Sequence, residues 1–416
     1  MRILIVTDYL PYPPISGDRI RVYSMLRQIA RHHSVSVVGF LQSPEDSIGI
    51  SHLRRFCERV EALALRRRAR VTRIPGLLRH VVAGIPFEFE FLRSDELACR
   101  INELASSSEF DIIQFEQSRM APYLDALPAD HGSKCILVLH NLAADQYDRI
   151  SHIELARVRR LRAWLHGRML RRWEPRYAER FDHCITVSER DRSALMMTNP
   201  RLKVDVVPNG VDTRLHRPLA WDGSQASLLF IGNLSYAPNT DGALWFCKQI
   251  LPEIRRRVGG TRLCIVGNAP PPELLELSED GTEVTGRVDS ILPYYRRCRV
   301  AVVPLRAGGG TRLKILEAMA LGRPVVSTSI GCEGLDVEHG RHILIADTPN
   351  QFAEATVCLL TDLKLCQRLS MEARELVVTK YDWDVVTSRL LDVYSELACQ
   401  ADPVSAASTD DEEIVA

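Results

Sequence analysis

The residues best suited to chemistry in this chain lie in one stretch, GGGTRLKILEAMALGRPVV, from Gly308 to Val326. Glycines let backbone amides approach a ligand closely, and the N–H groups at a helix start bind phosphate. Gly309, Gly310 and Thr311 lead into a helix expected to begin near Thr311, with Arg312 and Lys314 in its first turn. Cations are unfavourable at the positive end of a helix dipole, so these two side chains imply a missing anion. A diphosphate would satisfy the glycine amides, Arg312 and Lys314 together. Lys314 and Glu317 are three apart and share a face, where the carboxylate can accept two hydroxyls of a ribose. Leu313, Leu316 and Ala320 fall on another, buried face. The same stretch also fits a glycine-rich turn with solvated basic side chains and a surface Lys–Glu pair, because neither a Gly-x-Gly-x-x-Gly nor a P-loop lysine pattern is present.

Three further positions have comparable chemistry. LLFIGNLSYAPN ends an apolar run at Gly232 and Asn233, a second glycine turn before a helix. PYPPISGDRIR sets Ser16-Gly17 between the first apolar run and a helix capped near Asp18. LVLHNLAADQY places His140 immediately after a buried run. Each has a plainer reading: a tight strand-to-helix turn for the glycines, a structural or surface imidazole for His140.

All four need elements that bring them to one place. Short β-branched runs alternate with longer amphipathic stretches throughout. Strands are expected at Arg2–Val6, Val35–Phe40, Asp111–Phe115, Cys135–Leu139, Cys184–Val187 and Val204–Val207, then at Leu228–Gly232, Arg262–Val266, Arg299–Pro304, Pro324–Ser327 and His342–Ile345. Helical patterns lie between most of them, as at Asp18–Arg31 and Thr240–Arg257. Continuous apolar strands separated by helices form parallel sheets covered on both faces. Occurring twice in 416 residues, the pattern gives an α/β protein of two Rossmann-like doubly wound domains, with ligands beyond the carboxyl ends of the strands. The break is placed at the aperiodic, turn-rich PNGVDTRLHRPLAWDG. The expected division is residues 1–208, 209–380, a helix at 381–399 returning toward the first domain, and a disordered acidic tail at 400–416.

Lysine plus arginine equals aspartate plus glutamate, 53 each, which disfavours nucleic acid as a partner. The halves differ in sign, however: the first 200 residues carry a net +6 and the remainder −6. From Arg157 to Arg180, nine arginines interleave with Leu161, Trp164, Leu165, Met169, Leu170 and Trp173 at helical spacing. Such a helix either lies on anionic lipid or, the preferred reading, buries its apolar face in the core with a solvated face of arginines. RRRAR at 66–70 is equally ambiguous. Single scattered cysteines argue against a zinc site or a disulfide framework and for a reducing compartment. The short, Asp8-interrupted apolar start is no signal peptide, and no run reaches bilayer length, so a soluble, cytoplasmic protein is expected.

Taken together, these motifs resemble the bacterial family 4 glycosyltransferases, retaining enzymes of GT-B fold. The marks stand in family order over roughly Met1 to Leu397: SGDRIR, His140, ITVSERDR, VVPNGVDTRLHRP, FIGNLSYAPN, VTGRVDSILPYYRRCRVAVVPL and GGGTRLKILEAMALGRPVVST. The opening is similar to exopolysaccharide-associated sugar transferases. The resemblance implies a nucleotide-diphosphate sugar on the C-terminal domain, with Glu317 on the ribose and the Gly309–Gly310–Thr311 loop and its basic neighbours on the diphosphate. It further implies Arg287 and Val288 beside the base, Gly17 near the diphosphate and His140 on the transferred sugar. The acceptor would be a saccharide or lipid-linked saccharide, the membrane contact peripheral, and neither metal nor other cofactor is required. Asp382-Trp383-Asp384 has a metal-binding form but a structural location. Two departures stand out. Gly309 occupies the place of a first glutamate common in the family, and Asn233 and Asn239 stand where an arginine and a lysine are frequent. Arg312 and Lys314 then supply the displaced charge. The competing readings are a nucleotide-sugar epimerase of the same fold and a catalytically silent sugar-nucleotide-binding protein.

Overall fold

The computed structural model describes residues 1–42, 46–65, 86–153, 156–220, 227–278 and 281–399. The basic run 66–70 and the acidic tail 400–416 lie outside the described residues.

Two all-parallel sheets organise the chain. The first holds β1 (Arg2–Val6), β2 (Ser34–Leu41), β3 (Arg59–Ala64), β4 (Ile112–Glu116), β5 (Lys134–Leu139), β6 (His183–Thr186) and β7 (Val204–Val206). Its spatial order is β3-β2-β1-β4-β5-β6-β7. The second holds β8 (Ser227–Ile231), β9 (Arg262–Val266), β10 (Thr282–Val284), β11 (Val300–Val303), β12 (Val325–Ser327) and β13 (Leu344–Ile345), in the order β10-β9-β8-β11-β12-β13. In each, the strand order reverses beside the first strand, between β1 and β4 and between β8 and β11. Such a reversal opens a crevice at the carboxyl ends, because the flanking connections leave in opposite directions.

The apolar strands form for the reason their sequence gives: helices cover both faces, so β4 and β11 are buried at every position. β3 and β10 were not among the expected strands, and both are sheet edges. With one neighbour each, they carry exposed or half-buried residues and lack a continuous apolar run. The helical stretch expected at Thr240–Arg257 is Ala237–Trp245, a π-helical turn over Phe246–Ile250, and Leu251–Arg257. Pro252 cannot donate to the ladder, and the wider turn accommodates it.

The helix Trp383–Cys399 lies against the helix Gly17–Ile29 at the front of the chain. Gln28 Nε2 donates to Asp384 Oδ1 at 2.5 Å, and the Thr387 hydroxyl meets Met25 Sδ at 3.4 Å. Asp382 accepts from the Thr213 amide at 3.1 Å and also binds the Thr213 hydroxyl, and Asp384 pairs with Arg214. Both carboxylates are thus occupied by the connecting segments. A single apolar cluster runs from Ile3 and Met25 through Trp383 and Tyr394 to Leu313 and Leu316, so the two sheets share a core beneath this helix. The cysteines are free thiols.

Candidate active site between the two sheets

The helix after the glycine loop spans Leu313–Ala320, two residues later than expected, with Arg312 as its N-cap in extended backbone. Leu313, Leu316 and Ala320 are buried, as are Ile315, Ala318 and Met319. Lys314 and Glu317 are the partly exposed residues of the helix. Their shared face is therefore the helix's outlet to the crevice between β8 and β11.

Lys314 crosses that crevice. Its Nζ donates to Asn239 Oδ1 at 2.9 Å and sits 4.8 Å from the centroid of the Phe230 ring. Gly232 makes the crossing possible, because a Cβ there would lie 2.8 Å from Lys314 Nζ and 2.9 Å from Asn239 Cγ. Asn239 is held in turn by donating to the Asn233 carbonyl at 2.8 Å. Burial pushes the ammonium pKa down to about 7, the nearby Arg312 adds to the fall, and Glu317 opposes it. The Glu317 carboxyl is pushed up by burial, against the pull of His216 and Lys314.

Arg312 turns back onto its own loop, donating to the Gly310 carbonyl at 2.5 Å and also to that of Gly309. Its Nε and Nη2 are buried and have no hydrogen-bond partner among the described residues, and the same holds for the Thr311 hydroxyl. Burial lowers the guanidinium pKa. Gly308 and Gly310 have φ of 116° and 69°, a region that favours glycine, and the fold depends on the missing side chain. A Cβ at Gly310 would stand 2.8 Å from the His140 carbonyl oxygen, and one at Gly309 3.1 Å from Asn141 Nδ2. The loop of one sheet thus rests directly on the His140 turn of the other.

The facing wall is built at the carboxyl ends of β1, β4 and β5. His140 Nε2 lies 2.6 Å from Glu116 Oε2, at the end of β4. Asp8, just beyond β1, is buried against Arg119 with Nε to Oδ2 at 2.9 Å. Burial lifts its pKa to about 6, with Arg119 opposing. A polar cavity of about 120 Å³ opens here, lined by Gln117, Ser118, Arg119, His140, Asn141 and Gln146 among others. Gly17 begins the first long helix facing Leu313, whose Cδ1 would be 3.4 Å from an added Cβ. Gln146 donates to the Tyr236 hydroxyl at 2.9 Å, and Arg149 to the Gly308 carbonyl at 2.9 Å. Arg149 and Arg190 converge on Glu333 across the same boundary.

Gly17, His140, Gly232, Asn233, Gly309, Gly310, Thr311, Arg312, Lys314 and Glu317 are thereby gathered around two facing crevices. Arg287 and Val288 follow β10 at the outer end of the second sheet, Arg287 exposed and Val288 half-buried. Reading residues alone missed Glu116, Asp8, Arg119 and Glu333. The signal for the first was present in DIIQFE, where Gln114 and Glu116 interrupt an otherwise apolar central strand on one face.

One expectation is corrected. The basic helix is Arg157–Ala178, and its second half buries Leu170 and Trp173 as expected. Its first half does not: Val158, Leu161, Trp164 and Leu165 are 81, 57, 42 and 42% exposed. Helical spacing reveals that one face is apolar and says nothing of what covers it.

Two Rossmann-like domains with opposed switch-point crevices, one of them cationic, define a glycosyltransferase of GT-B fold. Family models agree: residues 15–215 match the model described as "Glycosyltransferase Family 4" and residues 225–362 the one described as "Glycosyl transferases group 1". The chain belongs to the family 4 glycosyltransferases. A 44.6 kDa protein of the Klebsiella pneumoniae cps region, itself uncharacterized, is 22% identical over 94% of this chain and 98% of its own length. The GDP-mannose-dependent alpha-(1-6)-phosphatidylinositol monomannoside mannosyltransferase of Mycobacterium tuberculosis is 28% identical over 46% of this chain and 56% of its own. Among solved structures, Anabaena HepE in complex with UDP and glucose superposes with a TM-score of 0.68 over 95% of this chain and all of its own, at 15% identity.

Proposed function

We propose that this glycosyltransferase moves a sugar, with retention, from a nucleoside-diphosphate sugar on the second sheet to a saccharide or lipid-linked acceptor on the first, in making a cell-surface polysaccharide. The observation that carries the reading is the pair Arg312 and Lys314, two residues apart at a helix start, where burial and the charge of Arg312 push the ammonium pKa down and buried guanidinium donors of Arg312 are unfilled among the described residues. Like charges held close in a half-buried crevice are costly without an anion. A diphosphate supplies one, and Glu317 on the same face accepts the ribose hydroxyls. As the bond from the sugar C1 to the diphosphate breaks, the leaving oxygen gathers charge against Lys314, Arg312 and the loop amides. The acceptor oxygen bonds to C1, and its proton passes to the departing diphosphate. His140 lies on the sugar between the two walls. The GDP-mannose dependence and phosphatidylinositol monomannoside acceptor in the name of the Mycobacterium tuberculosis relative, and the UDP and glucose bound to HepE, support this division of labour.

A thermal-shift panel of nucleotide sugars tests the donor, since a ligand of the native state raises the melting temperature. Transfer by the wild type but not by Lys314→Ala is the expected result; equal rates would sink the assignment. Incubation with donor alone separates the epimerase reading, which requires an isomerised donor. Tight binding without turnover on any acceptor would mark a silent binding protein.

The acceptor side is proposed to work at an anionic membrane surface from the inner face. Val158, Leu161, Trp164 and Leu165 stand exposed among Arg157, Arg160, Arg162 and Arg168, which matches an interfacial helix. No helix among the described residues is long and apolar enough to cross a membrane. Flotation with anionic but not neutral vesicles, weakened by Leu161→Ser with Trp164→Ser, is expected. Equal recovery in both vesicle types argues against it.

A further inference from the structure

His140 is the end of a chain of hydrogen bonds that begins on the last helix of the protein. The Tyr394 hydroxyl, on Trp383–Cys399, meets Gln114 Oε1 at 2.5 Å. Gln114 Nε2 donates to Glu116 Oε1 at 2.6 Å, and Glu116 Oε2 meets His140 Nε2 at 2.6 Å. Gln114, Glu116 and Tyr394 are fully or almost fully buried, and Gln114 and Glu116 project on one face of β4.

The direction of every bond in this chain is fixed by its middle member. Glu116 is held in its ionised form, its carboxyl pulled below the usual range by the His140 hydrogen bond, His140 charge and Arg21 in spite of burial. An ionised carboxylate only accepts. Gln114 must therefore turn its amide nitrogen to Glu116 and its oxygen to Tyr394, whose hydroxyl must donate. By the same logic His140 Nε2 must carry a proton. The other ring nitrogen, Nδ1, is buried with no hydrogen-bond partner among the described residues, on a ring that lines the polar cavity beyond β4 and β5.

We propose that Glu116, Gln114 and Tyr394 are positioning residues that fix His140 as the Nε2–H tautomer, reserving Nδ1 for the reacting sugar or its acceptor. Tyr394 thereby makes the returning C-terminal helix a working part of the first domain's site. A neutral imidazole free in solution exchanges its proton between two nitrogens, and only one arrangement presents the same atom to substrate each time. The charged groups near the Glu116–His140 pair among the described residues include Asp8 beyond β1, Arg119 after β4 and, on the Glu116 side, Arg21 on the helix Gly17–Ile29. Glu116 touches the ring nitrogen, and it dictates the tautomer. The catalytic use of Nδ1 rests on the glycosyltransfer mechanism proposed above; the tautomer does not.

The test is long-range ¹H–¹⁵N correlation of the full chain labelled with ¹⁵N-histidine, with His140 assigned by its loss in His140→Gln. At a pH where the ring is neutral, the wild type should show a protonated Nε2 and an unprotonated Nδ1. In Glu116→Gln the amide can present either oxygen or nitrogen, so the two shifts should converge toward a tautomer average. Tyr394→Phe removes the hydroxyl that holds Gln114 against Glu116, so the carboxylate sits less firmly on Nε2 and the shifts should move the same way by less; it carries the test should Glu116→Gln not fold. Unchanged His140 shifts in the folded variants, or a wild-type ring protonated on Nδ1, overturn the proposal. In steady-state transfer, Glu116→Gln should lower kcat about tenfold with the donor KM unchanged, the mark of an interaction made in the transition state. Intact transfer in His140→Gln would instead remove the catalytic reading and leave the tautomer result standing.

Discussion

Lys314 and His140 occupy comparable stations beyond the carboxyl ends of the two parallel sheets, Lys314 after the strand at the reversal of order and His140 one strand removed from it, yet they are held in opposite ways. Lys314 is destabilised as a cation: it is half-buried, it has Arg312 for a neighbour, and its hydrogen-bond partner is a neutral amide. His140 has an ionised carboxylate at 2.6 Å, supported from behind by Gln114 and Tyr394. The difference teaches how the two walls divide the work. On the proposed function, one wall is incomplete until the donor's diphosphate arrives, so its stabilisation is kept for the ligand. The other is satisfied beforehand and supplies orientation.

The sharpest way to break the comparison is to remove the incomplete wall's charge. Lys314→Ala should cut sugar transfer by about 10²- to 10³-fold, the range for loss of one preorganised donor to developing charge. The free protein should not melt lower, because an ammonium held near pKa 7 is a burden in the absence of ligand. Transfer rates and a melting curve on the same preparation check both halves. A variant that loses stability and keeps transfer would show that Lys314 is merely structural. Glu317→Gln comes next. It keeps the shape but weakens hydrogen bonds to a charged acceptor, each worth about 1.5–3 kcal/mol, so donor affinity should fall roughly 10- to 100-fold by calorimetry. A kcat defect with unchanged affinity would move Glu317 from the ribose to the reacting centre.

What could be read from the amino acids alone follows the same division. The glycine loop, Lys314, Glu317 and the apolar face of their helix were legible because each depends on neighbours three or four residues away. The position of His140 at a strand end was legible for the same reason. Its partners were not, since Glu116 and Tyr394 lie 24 and 254 residues away in sequence, and only pairing of β4 with β5 and the return of the last helix bring them together. Arg312 was read as facing the anion directly; in the structure part of its guanidinium is spent on the loop's own carbonyls. The edge strands β3 and β10 escaped because an edge strand needs no continuous apolar run. The exposed first half of the basic helix escaped because burial depends on what lies opposite.

A third prediction concerns protons. The Lys314 pKa falls from 10.5 in the unfolded chain to about 7 in the fold. Between those values the unfolded state binds the additional proton, so this residue's contribution makes stability rise as pH rises from about 7 toward 10.5. Lys314→Met should flatten that slope. A bound diphosphate restores the charged ammonium, so donor binding at pH 8 should take up a proton. Calorimetry in buffers of different ionisation enthalpy reads the uptake directly. Absence of uptake would mean that the diphosphate does not meet Lys314.

The smallest effect is expected where the two walls merely touch. Arg149 grips Glu333 with both terminal nitrogens, at 2.5 and 3.0 Å, and Arg190 adds a third contact at 2.6 Å. The same Arg149 holds the Gly308 carbonyl, so the cross-domain pair is anchored to the glycine loop itself. All three side chains are partly exposed, and such pairs are worth about 1 kcal/mol or less. Glu333→Gln should therefore raise the donor KM by no more than about fivefold and slightly widen the scattering profile of the free protein. Chemistry on bound donor should stay near the wild-type rate, because neither Lys314 nor the Glu116–His140 pair is disturbed. A loss as deep as that of Lys314→Ala would mean that closure, rather than the cationic helix start, creates the charged site. The two walls would then be two halves of one station.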